Sequence, residues 1–114
     1  MLYLYFVSIG FMDIDFKELN QSLFINLSGE LDESQAKRAR EVLDALIDQS
    51  KVKKVVIDMS ELAFMDSSGL GVLLGRFKKL KALGIPLSIA NPSKAVDKLL
   101  NLSGMYSFMQ RVVF

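Results

Sequence analysis

Phe64-Met65-Asp66-Ser67-Ser68-Gly69-Leu70-Gly71-Val72-Leu73-Leu74-Gly75-Arg76-Phe77-Lys78 is the stretch on which the fold turns. An apolar run ends at Met65, three polar residues follow, and Leu70, Leu73, Leu74, Phe77, Leu80 and Leu83 then recur at helical spacing. Gly84 and Pro86 stop that helix, so it begins near Ser67, at the end of a strand. Just upstream, Lys53 and Lys54 precede Val55-Val56-Ile57, a β-branched run closed by Asp58. Continuous rather than alternating apolarity predicts a central strand covered on both faces. Ser60-Glu61-Leu62-Ala63-Phe64-Met65 reads as the link from this strand to the helix.

The flanking segments extend the same alternation of strand and helix. Asp13 to Leu19 alternates polar and apolar residues, Asn20-Gln21-Ser22 is a polar turn, and Leu23 to Leu27 reads as the second arm of a hairpin. Ser28-Gly29-Glu30-Leu31 leads into Asp32, with Gln35 three residues later, the arrangement of a capping box. The helix beyond it sets Ala36, Ala39, Val42, Leu43, Leu46 and Ile47 on one face. Downstream, Pro86 to Ala90 is a strand, and Asn91-Pro92-Ser93 is a turn with Ser93 as N-cap. Val96, Leu99, Leu100 and Leu102 mark a third helix stopped by Gly104, and Phe108 to Phe114 is a final strand. The order β-β-α-β-α-β-α-β predicts one α/β domain with a mixed sheet, an N-terminal antiparallel hairpin followed by β-α-β crossovers.

With 114 residues the chain has the size of one domain, and 51% apolar against 24% charged residues suits a packed core rather than disorder. A net charge of +1 gives no global attraction to nucleic acid or to a membrane surface. Cysteine and histidine are both absent. Disulfides, thiolate catalysis and the commonest general base and metal ligand are thereby excluded, which lowers the expectation of an enzyme. Residues 1–11 are strongly apolar but fall short of the roughly 20 residues that span a bilayer. They contain no Lys or Arg and so lack the basic start of a secretory signal. Three readings stand for them: an added strand, a partner-binding arm, or sequence upstream of a natural start at Met12. Residues 12–114 make up the domain, and the expected location is the cytoplasm.

Each candidate site has a structural reading beside the functional one. Gly69, Gly71 and Gly75 have the spacing G-x-G-x-x-x-G, which is not a dinucleotide fingerprint, and no phosphate loop with Gly-Lys-Ser/Thr occurs. Because the apolar period starts at Leu70, these glycines fall inside the helix, where each costs about 1 kcal/mol relative to alanine. Close packing against the sheet or a partner is the better reading. A nucleophilic serine needs a base, and with no histidine and no Gly-x-Ser-x-Gly that chemistry is disfavoured. Asp66 or Ser67 serves as a helix cap, but Asp66-Ser67-Ser68 supplies three capping residues where one suffices. The surplus leaves at least one hydroxyl facing solvent. Such a hydroxyl suits a phosphoacceptor, since a helix N-terminus carries roughly half a positive charge and tolerates an added phosphate. The basic run Arg76, Lys78, Lys79 and Lys81 reads as a solvated helix face, or as the rim of an interface with an acidic partner. Without interleaved exposed aromatics it does not suggest nucleic acid.

Together these blocks resemble the STAS domain, and within it the bacterial anti-sigma factor antagonists of the sporulation and stress-response type. The resemblance rests on Ser28-Gly29-Glu30-Leu31-Asp32, Val55-Val56-Ile57-Asp58, Phe64-Met65-Asp66-Ser67-Ser68-Gly69-Leu70-Gly71, Gly75-Arg76-Phe77-Lys78 and Leu102-Ser103-Gly104, in that order. It implies a non-enzymatic protein, with no catalytic residue, cofactor or metal, that binds a serine-kinase anti-sigma factor and releases the sigma factor. It further implies that Ser67, directly after the aspartate, is the phosphoacceptor, and that a PP2C-type phosphatase resets it. Asp32, Asp66, Ser68, Gly69, Gly71 and Arg76 would contact the partner, Gly69 and Gly71 by allowing close approach. No direct nucleic-acid or membrane contact is implied. Alternatives are a STAS module of a stress-sensing complex or transporter, and a nucleotide-binding protein with weak hydrolytic activity.

Overall fold

The computed structural model describes residues 3–9 and 12–113. Strands β1 (Tyr3–Ile9), β2 (Met12–Leu19) and β3 (Ser22–Leu31) come first, followed by helix α1 (Glu33–Gln49). Next are β4 (Lys54–Met65), α2 (Ser67–Ala82), β5 (Leu87–Ala90), α3 (Lys94–Leu102) and β6 (Gln110–Val112). Spatial order in the single sheet equals sequence order, β1-β2-β3-β4-β5-β6. Pairing is antiparallel across β1, β2 and β3 and parallel from β3 to β6. The mixed α/β sheet expected from the sequence is therefore present.

Local chemistry explains the joints. Asn20 and Gln21 both take positive φ, 52° and 64°, between the paired residues Leu19 and Ser22. A two-residue turn with both φ positive matches the twist of the flanking strands. At the end of α2, Gly84 takes φ 73°, the Gly84 N–H donates to Lys81 O, and the Ile85 N–H donates to Leu80 O. That pair of bonds is the Schellman termination, and it needs a residue free to enter the left-handed region. Ser93 caps α3 by accepting from the Val96 N–H at 3.2 Å.

One face of the sheet carries Ile14, Leu23, Ile25, Leu27, Val55, Ile57 and Ile89, all at most 1% exposed, and the buried stripes of the helices close over it. Val55, Val56 and Ile57 are each 1% exposed, so β4 is buried on both faces at its start, as its continuous apolar run predicts. Every residue assigned to the inner face of α1 is buried, and Gln35 joins them.

Three expectations are corrected. Ser60 to Met65 is no link but the second half of β4. Buried residues there fall at Met59, Leu62 and Met65, every third position, because the register against β3 shifts between Asn26 and Ser28 and again between Gly29 and Glu30. Bulges of this kind erase the period of two from which a strand is read. The last strand is shorter than expected: Met105–Ser107 is a 3-10 turn, Phe108 follows it exposed, and only Gln110–Val112 pairs with β5. Phe114 of that expected strand lies outside the described residues, as do residues 1, 2, 10 and 11 of the N-terminal extension.

The third correction concerns Arg76. Instead of joining a solvated basic face, it is 9% exposed, on the α2 stripe with Val72, Leu73 and Leu80. Its Nε stands 2.9 Å from Asp44 Oδ1 on α1, outside hydrogen-bonding angles, so charge holds the contact. Lys79 extends the network to Asp44 at 3.5 Å and Asp48 at 2.7 Å. Removing one partner of a buried charge pair leaves the other desolvated. Asp44→Ala should therefore lower stability in urea unfolding by about 1–3 kcal/mol. Arg38→Ala, which breaks only the exposed Arg38–Glu41 pair, should cost no more than about 0.5 kcal/mol by the same measurement.

Candidate functional site

The site forms where β3 and β4 end side by side. Glu30 pairs with Phe64 and Leu31 with Met65, and the Asp66 N–H then donates to Leu31 O at 3.4 Å. Immediately after these paired residues each strand delivers an aspartate, and each aspartate caps the helix that follows. Asp32 Oδ1 accepts from the Ser34 N–H at 3.0 Å, the Ser34 hydroxyl at 2.6 Å and the Gln35 N–H at 3.3 Å. Asp66 Oδ1 accepts from the Ser68 N–H at 2.8 Å and the Gly69 N–H at 3.3 Å. The parallel register thus sets the N-termini of α1 and α2 at the same end of the sheet.

An open depression of ≈ 640 Å³ lies between them, lined by Asp32, Glu33, Ser34, Phe64 and Asp66. Its chemistry is acidic with one apolar element. The Ser34 hydroxyl bond holds the Asp32 carboxyl below the usual carboxylate range, helped by the Gln35 and Ser34 backbone N–H groups. Asp32 is therefore a fixed negative charge at neutral pH. Phe64 is 48% exposed, far above the core aliphatics. No hydrogen bond reaches the Ser67 hydroxyl among those described, and Ser67 is exposed at the first position of α2. Ser68, next to it, is half-buried, with its N–H committed to Asp66.

The glycines divide. A Cβ on Gly69 would meet Met65 Cγ at 2.3 Å and Leu31 O at 3.0 Å, so this glycine lets α2 close on the ends of β3 and β4. It is buried, and its missing Cβ makes room for Met65 and Leu31 of the same chain. A Cβ on Gly71 would meet nothing within 4 Å, and Gly71 is exposed one turn along from Ser67, on the same side of α2. Of the residues expected to face a partner, the structure gathers Asp32, Asp66, Ser67, Ser68 and Gly71 at this end of the molecule. Gly69 and Arg76 are buried instead.

The family model of the STAS domain matches residues 13–113. The chain belongs to the STAS domain family. An anti-sigma F factor antagonist of Paenibacillus polymyxa is 34% identical over 98 residues, 86% of this chain and 84% of that protein. Among solved structures, the anti-sigma factor antagonist SpoIIAA in its unphosphorylated form superposes with a TM-score of 0.70 at 29% identity, covering 96% of this chain and 88% of that one. The Bacillus cell fate determinant SpoIIAA in its phosphorylated form gives 0.63 at 27% identity, covering 96% and 91%. This STAS domain is thus similar to regulatory proteins of known structure in both phosphorylation states.

Phe64, Glu33 and Ser34 of the depression were not among the residues singled out from sequence. The signal for Phe64 was its place two residues before the Asp66 cap, read as part of a link. For Arg76 the signal was its spacing, four residues after Val72 and four before Leu80, which puts it on the inner stripe. Among the described residues no group of acidic side chains is arranged to hold a metal ion, and no helix is long and apolar enough to cross a membrane.

Two substitutions separate the glycines. Gly69→Ala should destabilise the domain by about 1–3 kcal/mol through overpacking against Met65 and Leu31. Gly71→Ala, in open space within the helix, should stabilise it by up to about 1 kcal/mol. Asp66→Ala should cost about 1 kcal/mol as a lost cap. Thermal and urea unfolding monitored by circular dichroism reads all three.

Proposed function

We propose that this STAS domain is a bacterial anti-sigma factor antagonist whose binding is switched by phosphorylation of Ser67. In this reading the unphosphorylated protein binds a cytoplasmic anti-sigma factor through the face that carries Ser67, Asp32, Asp66, Ser68 and Gly71, and so frees the sigma factor. The anti-sigma factor is itself a serine kinase. It transfers the terminal phosphoryl group of ATP to Ser67 Oγ, the hydroxyl proton leaves, and ADP is released. A PP2C-type phosphatase returns the hydroxyl by hydrolysis. The nucleotide belongs to the kinase, and the antagonist performs no catalysis.

The observation that carries this reading is the contrast at the α2 N-terminus. Ser67 is exposed, while the N–H groups of Ser68 and Gly69 already bond Asp66. A phosphate on Ser67 adds about −1.5 to −2 charges. With those N–H groups occupied, it cannot bury itself in the helix end and stays at the surface beside Asp32, Glu33 and Asp66. A docked partner then meets a concentrated negative charge, and the fold is left as it was. The relatives' names, and the solved phosphorylated form of one of them, point the same way.

Incubation with the cognate anti-sigma kinase and ATP, followed by peptide mass spectrometry, should place one phosphate on Ser67 and none on Ser67→Ala. Phosphate on Ser68 in the wild-type chain would overturn the assignment. In a titration with that kinase, Ser67→Ala should bind as tightly as the wild type, whereas Ser67→Asp should bind at least about tenfold more weakly, a difference near 1.4 kcal/mol. Equal affinity of the two variants would remove the charge argument.

A further inference from the structure

The two edges of the sheet are built differently. At one end β6 is three residues long and carries Arg111, half exposed, which is how natural sheets blunt an edge against further pairing. At the other end β1 runs for seven residues, Tyr3-Leu4-Tyr5-Phe6-Val7-Ser8-Ile9, with no charged residue, no proline and no glycine. Its inner edge pairs in unbroken register with β2, from Tyr3 opposite Glu18 to Ile9 opposite Met12. Among the described residues no strand pairs with its outer edge. Strand β2, by contrast, carries Asp13, Asp15, Lys17 and Glu18 and would by itself make a protected edge. β1 therefore replaces a charged edge by an uncharged one with which no described strand pairs.

We propose that β1 is a dimerisation strand, and that its partner is β1 of a second copy of this chain, paired antiparallel about a two-fold axis at Phe6. The strand is self-complementary in that register. Tyr3 stands opposite Ile9, Leu4 opposite Ser8, Tyr5 opposite Val7, and Phe6 opposite its own symmetry mate. This register sets an aromatic position opposite a β-branched one at Tyr3–Ile9 and Tyr5–Val7, a combination that stabilises antiparallel sheets. The absence of charge means that two copies do not repel, and it offers nothing to an acidic or basic partner. A two-fold closes the assembly at two chains and joins the sheets into one of twelve strands, so no apolar edge remains. The Ser67 face lies where β3 and β4 end, with β2 between β3 and this edge, and the pairing covers none of its residues.

Sedimentation equilibrium or light scattering on the full chain tests this directly. The wild type should show twice the 12.8 kDa chain mass. Tyr5→Lys should show the mass of one chain, with far-ultraviolet circular dichroism unchanged. Tyr5→Lys/Val7→Glu, which sets opposite charges across the axis twice, should recover the doubled mass and lose it again at high salt. Ser8→Lys, opposite Leu4, replaces Tyr5→Lys if that variant does not fold. A wild type of one-chain mass at its highest workable concentration would overturn the proposal. So would a dimer indifferent to both lysine substitutions, or a mass beyond two chains. A double variant that stays at one chain would overturn the register at Phe6.

Discussion

The pairing of Leu31 with Met65 at the ends of β3 and β4, carried one residue further by the Asp66 N–H to Leu31 O bond, is the constraint on which the site depends. Two strands that run parallel and end in register must deliver their next residues side by side. Both next residues are aspartates, and both cap helices. The site is thus the point where two helix N-termini are fixed together by backbone hydrogen bonds, not an assembly of loops. Gly69 completes the joint, since only a residue without a Cβ lets α2 start so close to Met65 and Leu31. Farther along, the ion pair of Arg76 with Asp44 ties α2 to α1.

That frame decides what a phosphate can do. Ordinarily a helix N-terminus would draw a phosphate onto its free N–H groups and reorganise around it. Here Asp66 has taken two of those groups, the N–H of Ser68 and of Gly69, so much of the attraction is already used within the resting structure. Asp32, held ionised by Ser34, adds to the negative field at the same place. In the proposed function, the surface that would receive a partner is one whose charge changes steeply while its shape does not. Exposed Phe64 adds an apolar element to the same end of the molecule, and the space around Gly71 is open.

Much of this was legible in the sequence, for physical reasons that can be stated. Hairpin, helices and central strand each had the right period, and the capping residues Asp32, Asp66 and Ser93 marked helix starts because their short polar side chains serve the free N–H groups there. The second half of β4 was not legible, because bulges in the β3–β4 pairing turned its buried residues into a period of three. The burial of Arg76 was not legible from its charge, because its place on the inner stripe of α2, four residues from both Val72 and Leu80, outweighs that charge once Asp44 stands opposite. Gly69 and Gly71 looked alike in sequence, two residues apart. Their difference, one against β3 and β4 and the other facing open space, exists only once the sheet is assembled.

Amide chemical shifts and hydrogen exchange of Ser67-phosphorylated protein against the unphosphorylated form bear most directly on the idea of charge added to a fixed frame. The Ser68 and Gly69 amides should keep their bonds to Asp66, with shift changes confined to residues near the depression and exchange in the sheet unaltered. Loss of those two bonds to the phosphate, or exchange that spreads into β3 and β4, would contradict it.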